Sequence, residues 1–431
     1  MNEKTKVIKI SKDNPSIELI KEKCIDCGLC SYTCKDREGI ENLCDGENCV
    51  DCGQCIQVCP VGALIPKQDK FKFEEALNSG KICIAYTAPS VRVAIGDEFG
   101  FEKGEFAQGK LITALRKLGF KYVLDVTFGA DLTIMEEAND LVDRLKNNGK
   151  LPMFTSCCPS WVKYAELFYP EILDNLSSCK SPIGMTAQIV RKYFIPKYNL
   201  DKNNVYTVAI TPCTSKKFEI SREEIKGTDL VLTTREISNM LKEKNINLRE
   251  LEDGEFDSLL GEGSGAGMIF GNTGGVMEAT LRTAYNVITG KDLEIEKLEL
   301  KEVRGLENVK ECTIKMGEYT LNIATVNKMS AATTILEDVK KGKSKYHFIE
   351  IMNCLGGCIG GGGQPKILPT KELEVKNKRI NSLYERDSKD KIRVSYKNPD
   401  IIRVYDEFIG YPLSFKAKEM LHTRYTDRSN K

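Results

Sequence analysis

The residues best suited to chemistry are two cysteines that lie among glycines in one short stretch. Cys354 and Cys358 follow an apolar segment of strand length, and six glycines lie between Leu355 and Gln364. Glycine at this density lets the backbone pass close to a bulky group, and thiolates bind soft metals. The stretch indicates a metal cluster, while a zinc site or a disulfide remains open from these residues alone.

Two other segments place cysteine just after a predicted strand. Strands are expected at 152–155, 206–211 and 346–352, and cysteine follows each of them within a few residues. In parallel α/β sheets, ligands bind in the crevice beyond the carboxyl ends of the strands. We therefore expect the three strand ends to offer their thiolates to one place.

Eight cysteines near the N-terminus form two copies of the spacing C-x-x-C-x-x-C-x-x-x-C, and a proline follows the second copy. This is the pattern of two-cluster bacterial ferredoxins, in which the fourth cysteine of each copy binds the other cluster. Two zinc knuckles are disfavoured, because zinc has no use for this exchange. The predicted 4Fe4S ligands are Cys24, Cys27, Cys30 and Cys59 for one cluster, and Cys49, Cys52, Cys55 and Cys34 for the other.

After these copies, buried strands alternate with amphipathic helices, which predicts a parallel α/β sheet. Apolar runs at 82–88 and 122–127 have strand length, and a helical period lies between them. The charged stretch 67–76 is interpreted as a linker. The predicted organisation is a small α+β ferredoxin-like domain, residues 1–78, followed by an α/β domain, residues 79–431.

A helix expected at 132–145 carries Glu137, Asp140 and Arg144 on one face, since they are three and four residues apart. The ordinary interpretation of such a face is a solvated salt bridge. The functional interpretation is a line of exchangeable protons.

Three further segments carry weaker signals. The glycine-rich stretch 261–275 lacks the lysine of a phosphate-binding P-loop, so close packing against a cofactor is favoured over a nucleotide site. The charged span 371–398 is expected to be solvated, and a final helix is expected at 405–425. The two histidines, His347 and His422, have no partner at metal-ligand spacing and are interpreted as structural.

The overall composition excludes some classes of function. Sixty-three lysines and arginines balance 62 aspartates and glutamates, so no charge excess points to nucleic acid. No apolar run is long enough for a membrane span, and the N-terminus has no signal-peptide core. A cytoplasmic protein is expected, in which seventeen cysteines are metal ligands or reactive thiols rather than disulfides.

The three cysteine segments together resemble the three signature loops of iron-only (FeFe) hydrogenases. They read T-S-C-C-P-S-W from residue 155, T-P-C-T-S-K-K-F-E from residue 211 and E-I-M-N-C-L-G-G-C-I-G-G-G-G-Q-P from residue 350. Similar stretches, including A-D-L-T-I-M-E-E, I-F-G-N-T-G-G-V-M-E-A and L-H-T-R-Y, extend the resemblance over nearly the whole chain.

The resemblance implies an H-cluster, which is a 4Fe4S cube joined through a cysteine sulfur to a two-iron centre with carbon monoxide, cyanide and azadithiolate ligands. Two lobes with parallel sheets would enclose it. By motif position, Cys158, Cys213, Cys354 and Cys358 would hold the cube, with Cys358 as the bridge. The two-iron pocket would be lined by Ala88, Pro89, Ser90, Pro182, Ile183, Thr211, Pro212, Phe270, Gly271 and Met352.

The resemblance also implies roles for polar residues. Lys216 would point its ammonium group at an iron-bound cyanide, whereas Lys217 is expected to be exposed. Protons would pass along Cys157, Glu137, Ser177, Asp140 and Arg144. The chain departs from the family pattern at Thr211, where methionine is usual, at Ile183, where glutamine is usual, and at Asp140, where glutamate is usual.

The implied function is reversible oxidation of dihydrogen to two protons and two electrons. Electrons would leave through the two N-terminal clusters to a redox partner such as ferredoxin, and maturation proteins would supply the two-iron centre. One alternative is a hydrogen sensor with slow turnover on the same scaffold. The other is a hydrogenase-like protein of iron-sulfur assembly, which lacks the two-iron centre.

Overall fold

The computed structural model describes residues 7–40, 48–258, 260–261, 263–294 and 297–429. Cys44, which the sequence suggests is a spare structural cysteine, lies outside them. The strands are β1 Ile17–Leu19, β2 Leu64–Pro66, β3 Ile82–Thr87, β4 Tyr122–Asp125, β5 Met153–Phe154, β6 Val205–Thr211, β7 Leu230–Thr233, β8 Val309–Met316, β9 Tyr319–Asn327 and β10 Phe348–Met352. The helices are α1 Leu29–Thr33, α2 Gln54–Val58, α3 Lys70–Asn78, α4 Gln108–Leu118, α5 Val126–Lys146, α6 Pro159–Phe168, α7 Pro182–Ile189, α8 Ile195–Lys197, α9 Ser215–Glu219, α10 Thr234–Glu243, α11 Gly265–Met268, α12 Gly275–Thr289, α13 Met329–Lys340, α14 Glu372–Lys389, α15 Pro399–Val404 and α16 Phe415–Leu421.

Within the described residues, the strands form three sheets. A small antiparallel pair, β1 and β2, lies in the cysteine-rich N-terminal part. A parallel sheet has the order β4-β3-β6-β7, and another sheet has the order β5-β10-β9-β8, in which only β8 is antiparallel. The predicted fold class, an α/β domain preceded by a ferredoxin-like domain, is confirmed.

Central strands of the parallel sheet and the edge strand of the mixed sheet differ in how they are buried. The parallel strands β3 and β6 are buried along almost their whole length, as expected for strands with helices on both faces. The edge strand β8 instead alternates between exposed and buried positions. Its sequence, V-K-E-C-T-I-K-M, mixes apolar and charged residues, so no apolar run predicts this strand.

Helix α5 begins earlier than the sequence predicts. The apolar run expected as a strand to residue 127 ends at Asp125, whose side chain accepts a hydrogen bond from the Thr127 amide at 2.7 Å. This is an N-cap. The guanidinium group of Arg92, fully buried, pairs with the same carboxylate. The helix therefore starts at Val126, six residues before the predicted start.

Two charged stretches, one interpreted as a linker and the other expected to be solvated, contain residues of packed helices. The interpreted linker overlaps most of α3, whose Phe73 is fully buried and stacks on Phe120 at 4.4 Å between ring centroids. The span 371–398 contains α14, which buries Leu383. Its buried Arg379 pairs with Asp97 at 2.6 Å. Charges that find partners in this way can be buried, so composition alone misplaces them.

The final helix is also shorter than predicted. After α15, a π-helical turn at Tyr405–Ile409 ends at Gly410, whose φ of 101° is open mainly to glycine. The next helix, α16, leaves Phe415 largely exposed. His422 follows α16, and its Nε2 lies 2.9 Å from a buried Glu136 carboxylate. In the described part of the chain, no helix is both long and apolar enough to cross a bilayer.

Candidate active site

The three predicted cysteine loops meet between the two larger sheets. The first loop follows β5, the second follows β6, and the third follows β10. Burial raises the pKa of the Cys354 thiol, and the nearby thiols of Cys213, Cys158 and Cys358 raise it further. Burial likewise raises the pKa of Cys358 to about 12. Four thiols from three separate loops are therefore electrostatic neighbours.

The third loop requires glycine where it passes other backbone. Gly357 has a φ of 89°, and a Cβ atom there would lie 2.6 Å from the backbone nitrogen of Thr273. Gly361 would place a Cβ atom 2.3 Å from the carbonyl oxygen of Pro212, in the second loop. Any larger residue would push these segments apart. The glycines thus hold the third loop against the second loop and against residue 273.

The four thiols suit an iron-sulfur cube. All sixteen cysteines of the described residues have free thiols, and no three His, Cys, Asp or Glu side chains in this part of the chain converge on a position for a single metal ion. Ionising four buried thiols together is costly, and bound cations relieve that cost. Each ligand of a cube binds a different iron, so four neighbouring thiols need not converge on one metal position to hold a 4Fe4S cluster.

A small cavity of about 60 Å³ lies beside the thiols. All ten residues predicted to line a two-iron pocket form its wall, together with Cys157, Cys213, Lys216 and Cys358. Val126 and Ala130 also line it but are absent from the prediction. Both lie on the first turns of α5, ahead of the predicted start of this helix. A mostly apolar wall with few polar groups is typical of cofactor pockets.

One cation reaches this cavity. The Lys216 ammonium is buried and donates hydrogen bonds to both Glu219 carboxylate oxygens at 2.9 Å and to the Cys157 carbonyl at 3.2 Å. Burial alone would lower its pKa, but Glu219, together with the Cys213 and Cys157 thiols, outweighs burial, so the pKa of Lys216 is raised. The group therefore stays charged beside the cavity. Ser181 donates a hydrogen bond to Glu219 at 3.0 Å and fixes that carboxylate.

Lys217 corrects the sequence prediction of an exposed side chain. It is buried, and its ammonium group lies 2.8 Å from Asp69 and 3.0 Å from Glu236. Asp69 immediately precedes α3, while Lys217 belongs to the second cysteine loop. The ion pairs therefore tie α3 to that loop.

The predicted relay residues begin at the cavity and lead away from it. Cys157 contacts the cavity. Behind it, Glu137 is buried, and burial raises its pKa to about 8. Ser177 hydrogen-bonds to this carboxyl group and opposes the rise, while Thr280 donates to it at 3.5 Å. A carboxyl group with a pKa near neutrality can both accept and donate a proton.

Asp140 and Arg144 continue the same face of α5 toward the surface. The Arg144 Nε atom donates to Asp140 at 3.3 Å, and a second guanidinium nitrogen donates to the Leu176 carbonyl at 3.0 Å. Both side chains are half-buried. In the described structure, no direct hydrogen bond joins Ser177 to Asp140. Asp140 is shorter by one methylene than the glutamate that is usual in the family pattern, so a glutamate at this position would reach further toward Ser177.

Glu350 is a functional candidate that the sequence reasoning missed. It lies fully buried on β10, and its carboxylate accepts hydrogen bonds from the amides of Gly274 at 2.6 Å and Met277 at 2.7 Å, at the start of α12. Burial raises its pKa to about 7, and its charge raises the pKa of Glu137 further. The sequence feature that could have identified Glu350 is an acidic residue within the apolar run F-I-E-I-M.

The N-terminal cysteines lie against this site. Burial raises the pKa of the Cys55 thiol, and the charge of the Cys34 thiol raises it further. Cys34 therefore lies beside the second cysteine copy. Gln54, between two ligands of that copy, donates its Nε2 hydrogen to the Cys354 sulfur at 3.2 Å. A Cβ atom on Gly362 would lie 2.5 Å from the Cys52 carbonyl. The second copy therefore contacts the third loop directly.

A thiol-lined cavity, beside a cysteine loop that contacts a ferredoxin-type cysteine repeat, defines an iron-sulfur redox protein. Three family descriptions match the chain: "Iron only hydrogenase large subunit, C-terminal domain" over residues 81–362, "Iron hydrogenase small subunit" over residues 373–428, and "4Fe-4S binding domain" over residues 45–65. The second match covers α14 to α16, so the span interpreted as solvated is a recognised part of such proteins.

Individual relatives agree with these matches. The chain is 41% identical to iron hydrogenase 1 of Clostridium pasteurianum, over 98% of this chain and 78% of that protein. It is 47% identical to the large subunit of the periplasmic Fe hydrogenase of Nitratidesulfovibrio vulgaris, over 72% of this chain and 75% of that protein. A solved variant of the FeFe-hydrogenase HydA1 of Chlamydomonas reinhardtii superposes with a TM-score of 0.73 at 38% identity, covering 82% of this chain and 98% of that chain. This chain belongs to the iron-only hydrogenase family and is an oxidoreductase that acts on dihydrogen.

Proposed function

We propose that the protein oxidises dihydrogen and reduces protons at an H-cluster held by Cys158, Cys213, Cys354 and Cys358. One observation carries this proposal: a single cavity is lined by all ten residues predicted for the two-iron pocket and by two of the four thiols. When bound, the H-cluster supplies the metal chemistry that splits and forms the hydrogen-hydrogen bond. The residues of the chain supply its binding, its dry surroundings and the routes for protons and electrons.

Protons travel between the cavity and the surface along one face of α5. Cys157 exchanges a proton with the cavity, and Glu137 holds it next, since its pKa of about 8 lies close to neutral pH. Ser177 is in contact with Glu137. A water molecule bridges Ser177 to Asp140, and Arg144 holds Asp140 in place.

Lys216 supplies a fixed positive charge at the cavity wall. Its ammonium group is held by Glu219, and it has one further hydrogen bond to the Cys157 carbonyl. A cation in a buried site stabilises anionic ligands by charge-assisted hydrogen bonds. The side chain would therefore donate a charge-assisted hydrogen bond to a cyanide of the two-iron unit when that unit is bound.

The N-terminal cysteines would hold the clusters that supply electron transfer to and from the site. The Gln54 contact to Cys354 brings the second cysteine copy to the cube, so the cluster of Cys49, Cys52, Cys55 and Cys34 is the inner one. The cluster of Cys24, Cys27, Cys30 and Cys59 is then the outer one. A redox partner such as ferredoxin exchanges electrons there, in the cytoplasm.

Thr211 and Ile183 make this protein unusual within its family pattern. The Thr211 hydroxyl donates to the Cys213 carbonyl at 3.0 Å and accepts from the Cys213 amide at 3.3 Å. It therefore fixes the second loop and has no donor left for the cavity. Ile183 presents a purely apolar surface to the same cavity. These two changes tune rate and direction without removing a cluster ligand.

Hydrogen turnover by the matured protein tests the proposal. Loaded with the two-iron unit by maturation proteins, it should evolve hydrogen from reduced methyl viologen and take it up with the oxidised dye, whereas the unmatured protein should do neither. Turnover below one per second in both directions would favour the sensor. No turnover at full iron content would favour a hydrogenase-like assembly protein. The presence of Cys157 and Lys216 at the cavity argues against that rival function.

A further inference from the structure

A continuous chain of hydrogen bonds joins helix α14 to a sulfur atom of the candidate active site. Gln54 donates from Nε2 to the Cys354 sulfur at 3.2 Å, and its Oε1 accepts from Arg37 at 3.0 Å. The Arg37 guanidinium group also donates to both carboxylate oxygens of Glu372, the first residue of α14, at 3.1 Å. One turn further along α14, the Lys376 ammonium group donates to Glu372 at 2.7 Å. We call Arg37 and Glu372 the clamp.

The clamp fixes which end of the Gln54 amide faces Cys354. An amide side chain has one end that accepts hydrogen bonds and one end that donates them, whereas arginine has donors only. Arg37 can therefore bind only the oxygen end of Gln54. The nitrogen end is left for acceptors, and it donates to the Gly360 carbonyl at 3.1 Å as well as to the Cys354 sulfur. Both hydrogens of this nitrogen have acceptors.

The orientation of this amide has an electrostatic consequence for the cube. Gln54 is 2% exposed, so water screens its dipole little. An N–H group that points at the Cys354 sulfur stabilises added negative charge on a cluster bound there. An amide rotated by half a turn would point its oxygen at that sulfur and oppose the added charge. Since hydrogen bonds to the sulfurs set the potential of an iron-sulfur cluster, the two orientations give the cube different potentials.

A cavity beside these residues leaves room for such a rotation. Its volume is about 100 Å³, and it is lined by Arg37, Gln54, Glu372 and Lys376, among others. Burial alone would raise the pKa of Glu372, but the charges of Lys376 and Arg37 outweigh burial and lower it. The carboxylate therefore stays ionised at neutral pH and keeps its hydrogen bonds to Arg37.

We propose that Arg37 and Glu372 are positioning residues that hold the Gln54 amide nitrogen toward Cys354, and that α14 in this way raises the reduction potential of the cube. Electron transfer between the inner cluster and the cube depends on the difference between their potentials. Glu372, which lies 335 residues from Arg37 along the chain, thus controls this electron step. The inference rests on the proposed function, because it takes Cys354 as a ligand of the cube.

Replacing Glu372 with leucine tests the clamp. The midpoint potential of the cube is measured by redox titration followed by electron paramagnetic resonance, on the full chain with its 4Fe4S clusters and without the two-iron unit. Glu372→Leu frees Arg37, so this potential should fall by at least about half of the fall that Gln54→Leu produces. Removal of a negative charge would by itself raise the potential. Loss of the clamp and loss of the charge therefore shift the potential in opposite directions.

A double-mutant cycle shows whether Arg37 acts through Gln54. Arg37→Leu removes a positive charge, which lowers the potential in any background, but the effect on the amide requires Gln54 to be present. The shift should therefore be at least about twofold larger in the wild-type background than in the Gln54→Leu background. Iron analysis shows which variants retain their clusters, and this cycle carries the test if Glu372→Leu does not fold.

Glu374→Leu is the matched control. Glu374 lies in the same first turn of α14, and its ion pairs are with Lys371 at 3.0 Å and Lys378 at 3.2 Å. The variant removes the same charge from the same turn while the clamp stays intact. The potential of the cube should not change.

Three results would overturn the clamp. One is a cube potential in Glu372→Leu that rises, stays constant or falls by less than half of the shift in Gln54→Leu. The others are equal shifts of Arg37→Leu in the two backgrounds, and a fall in Glu374→Leu as large as that in Glu372→Leu. Iron-replete wild type without the signal of a cube besides the two N-terminal clusters would count against the proposed function instead. The two failures are therefore distinguishable.

Discussion

Replacing Glu137 with glutamine should lower hydrogen turnover and raise the stability of the fold at alkaline pH. Burial raises the pKa of this carboxyl group from 4.5 to about 8, and Asp140 and Glu350 add to the rise. At about 1.4 kcal/mol for each pH unit, the rise corresponds to roughly 5 kcal/mol. Glutamine has no charge to bury, so the variant should gain up to this amount.

The sign of the effect depends on pH. Below pH 4.5 the carboxyl group is protonated in both the folded and the unfolded chain, so it contributes no difference. Between pH 4.5 and about 8 the unfolded chain ionises while the folded chain does not. The free energy of unfolding of the wild type therefore falls across this range, and above it the full penalty remains.

Chemical denaturation at pH 5 and pH 9 measures this difference, and turnover of the matured protein measures the relay. The variant should match the wild type within about 1 kcal/mol at pH 5, exceed it by several kcal/mol at pH 9, and lose a factor of about 10² to 10⁴ in turnover. Glu136→Gln is the control. Glu136 accepts hydrogen bonds from Leu413, Tyr405 and His422, so its replacement should destabilise the fold.

Two outcomes would refute the reasoning. Turnover of Glu137→Gln within threefold of the wild type would show that protons do not pass through this residue. A variant less stable than the wild type at pH 9 would show that the carboxyl group is ionised and stabilised in the folded protein, contrary to its burial.

The remaining predictions concern the proton route, the electron route and the departures from the family pattern. Cys157→Ala should lower turnover at least about 10²-fold while iron content stays constant, and near-normal turnover would exclude a proton route through this thiol. Asp140→Glu should keep or raise turnover, because the longer side chain closes the interval to Ser177, and a large loss would contradict that geometry. Gln54→Leu removes the hydrogen bond to the Cys354 sulfur, so the midpoint potential of the cube should fall by on the order of 50 mV. A redox titration followed by electron paramagnetic resonance, on protein without the two-iron unit, measures that potential, and an unchanged value would show that the contact does not tune the cube.

The sequence predicts the cavity wall better than it predicts the surrounding helices. Phe270 and Met352 lie within the quoted motifs, so their positions follow once the three loops converge. Val126 and Ala130 are absent from the predicted cavity wall because the start of α5 depends on the capping by Asp125. Such a cap competes with the strand signal of the apolar run before it.

Buried charges explain most of the other differences. Lys217 and Arg379 are polar in any sequence pattern, yet both are buried because acids from distant segments face them. Asp69 lies 148 residues from Lys217 and Asp97 lies 282 residues from Arg379 along the chain, and only the fold brings them together. Glu350 is buried for a different reason, since backbone amides at the start of α12 take the place of water.

Infrared spectroscopy of the matured protein tests the central arrangement most directly. Wild-type protein should show bands from carbon monoxide and cyanide bound to iron. Cys358→Ala should lose them, because the sulfur that joins the two iron units is gone, and should keep the resonance signals of the two N-terminal clusters. Bands that persist unchanged in Cys358→Ala, or that are absent from iron-replete wild type, would contradict the assignment of these four thiols to one H-cluster.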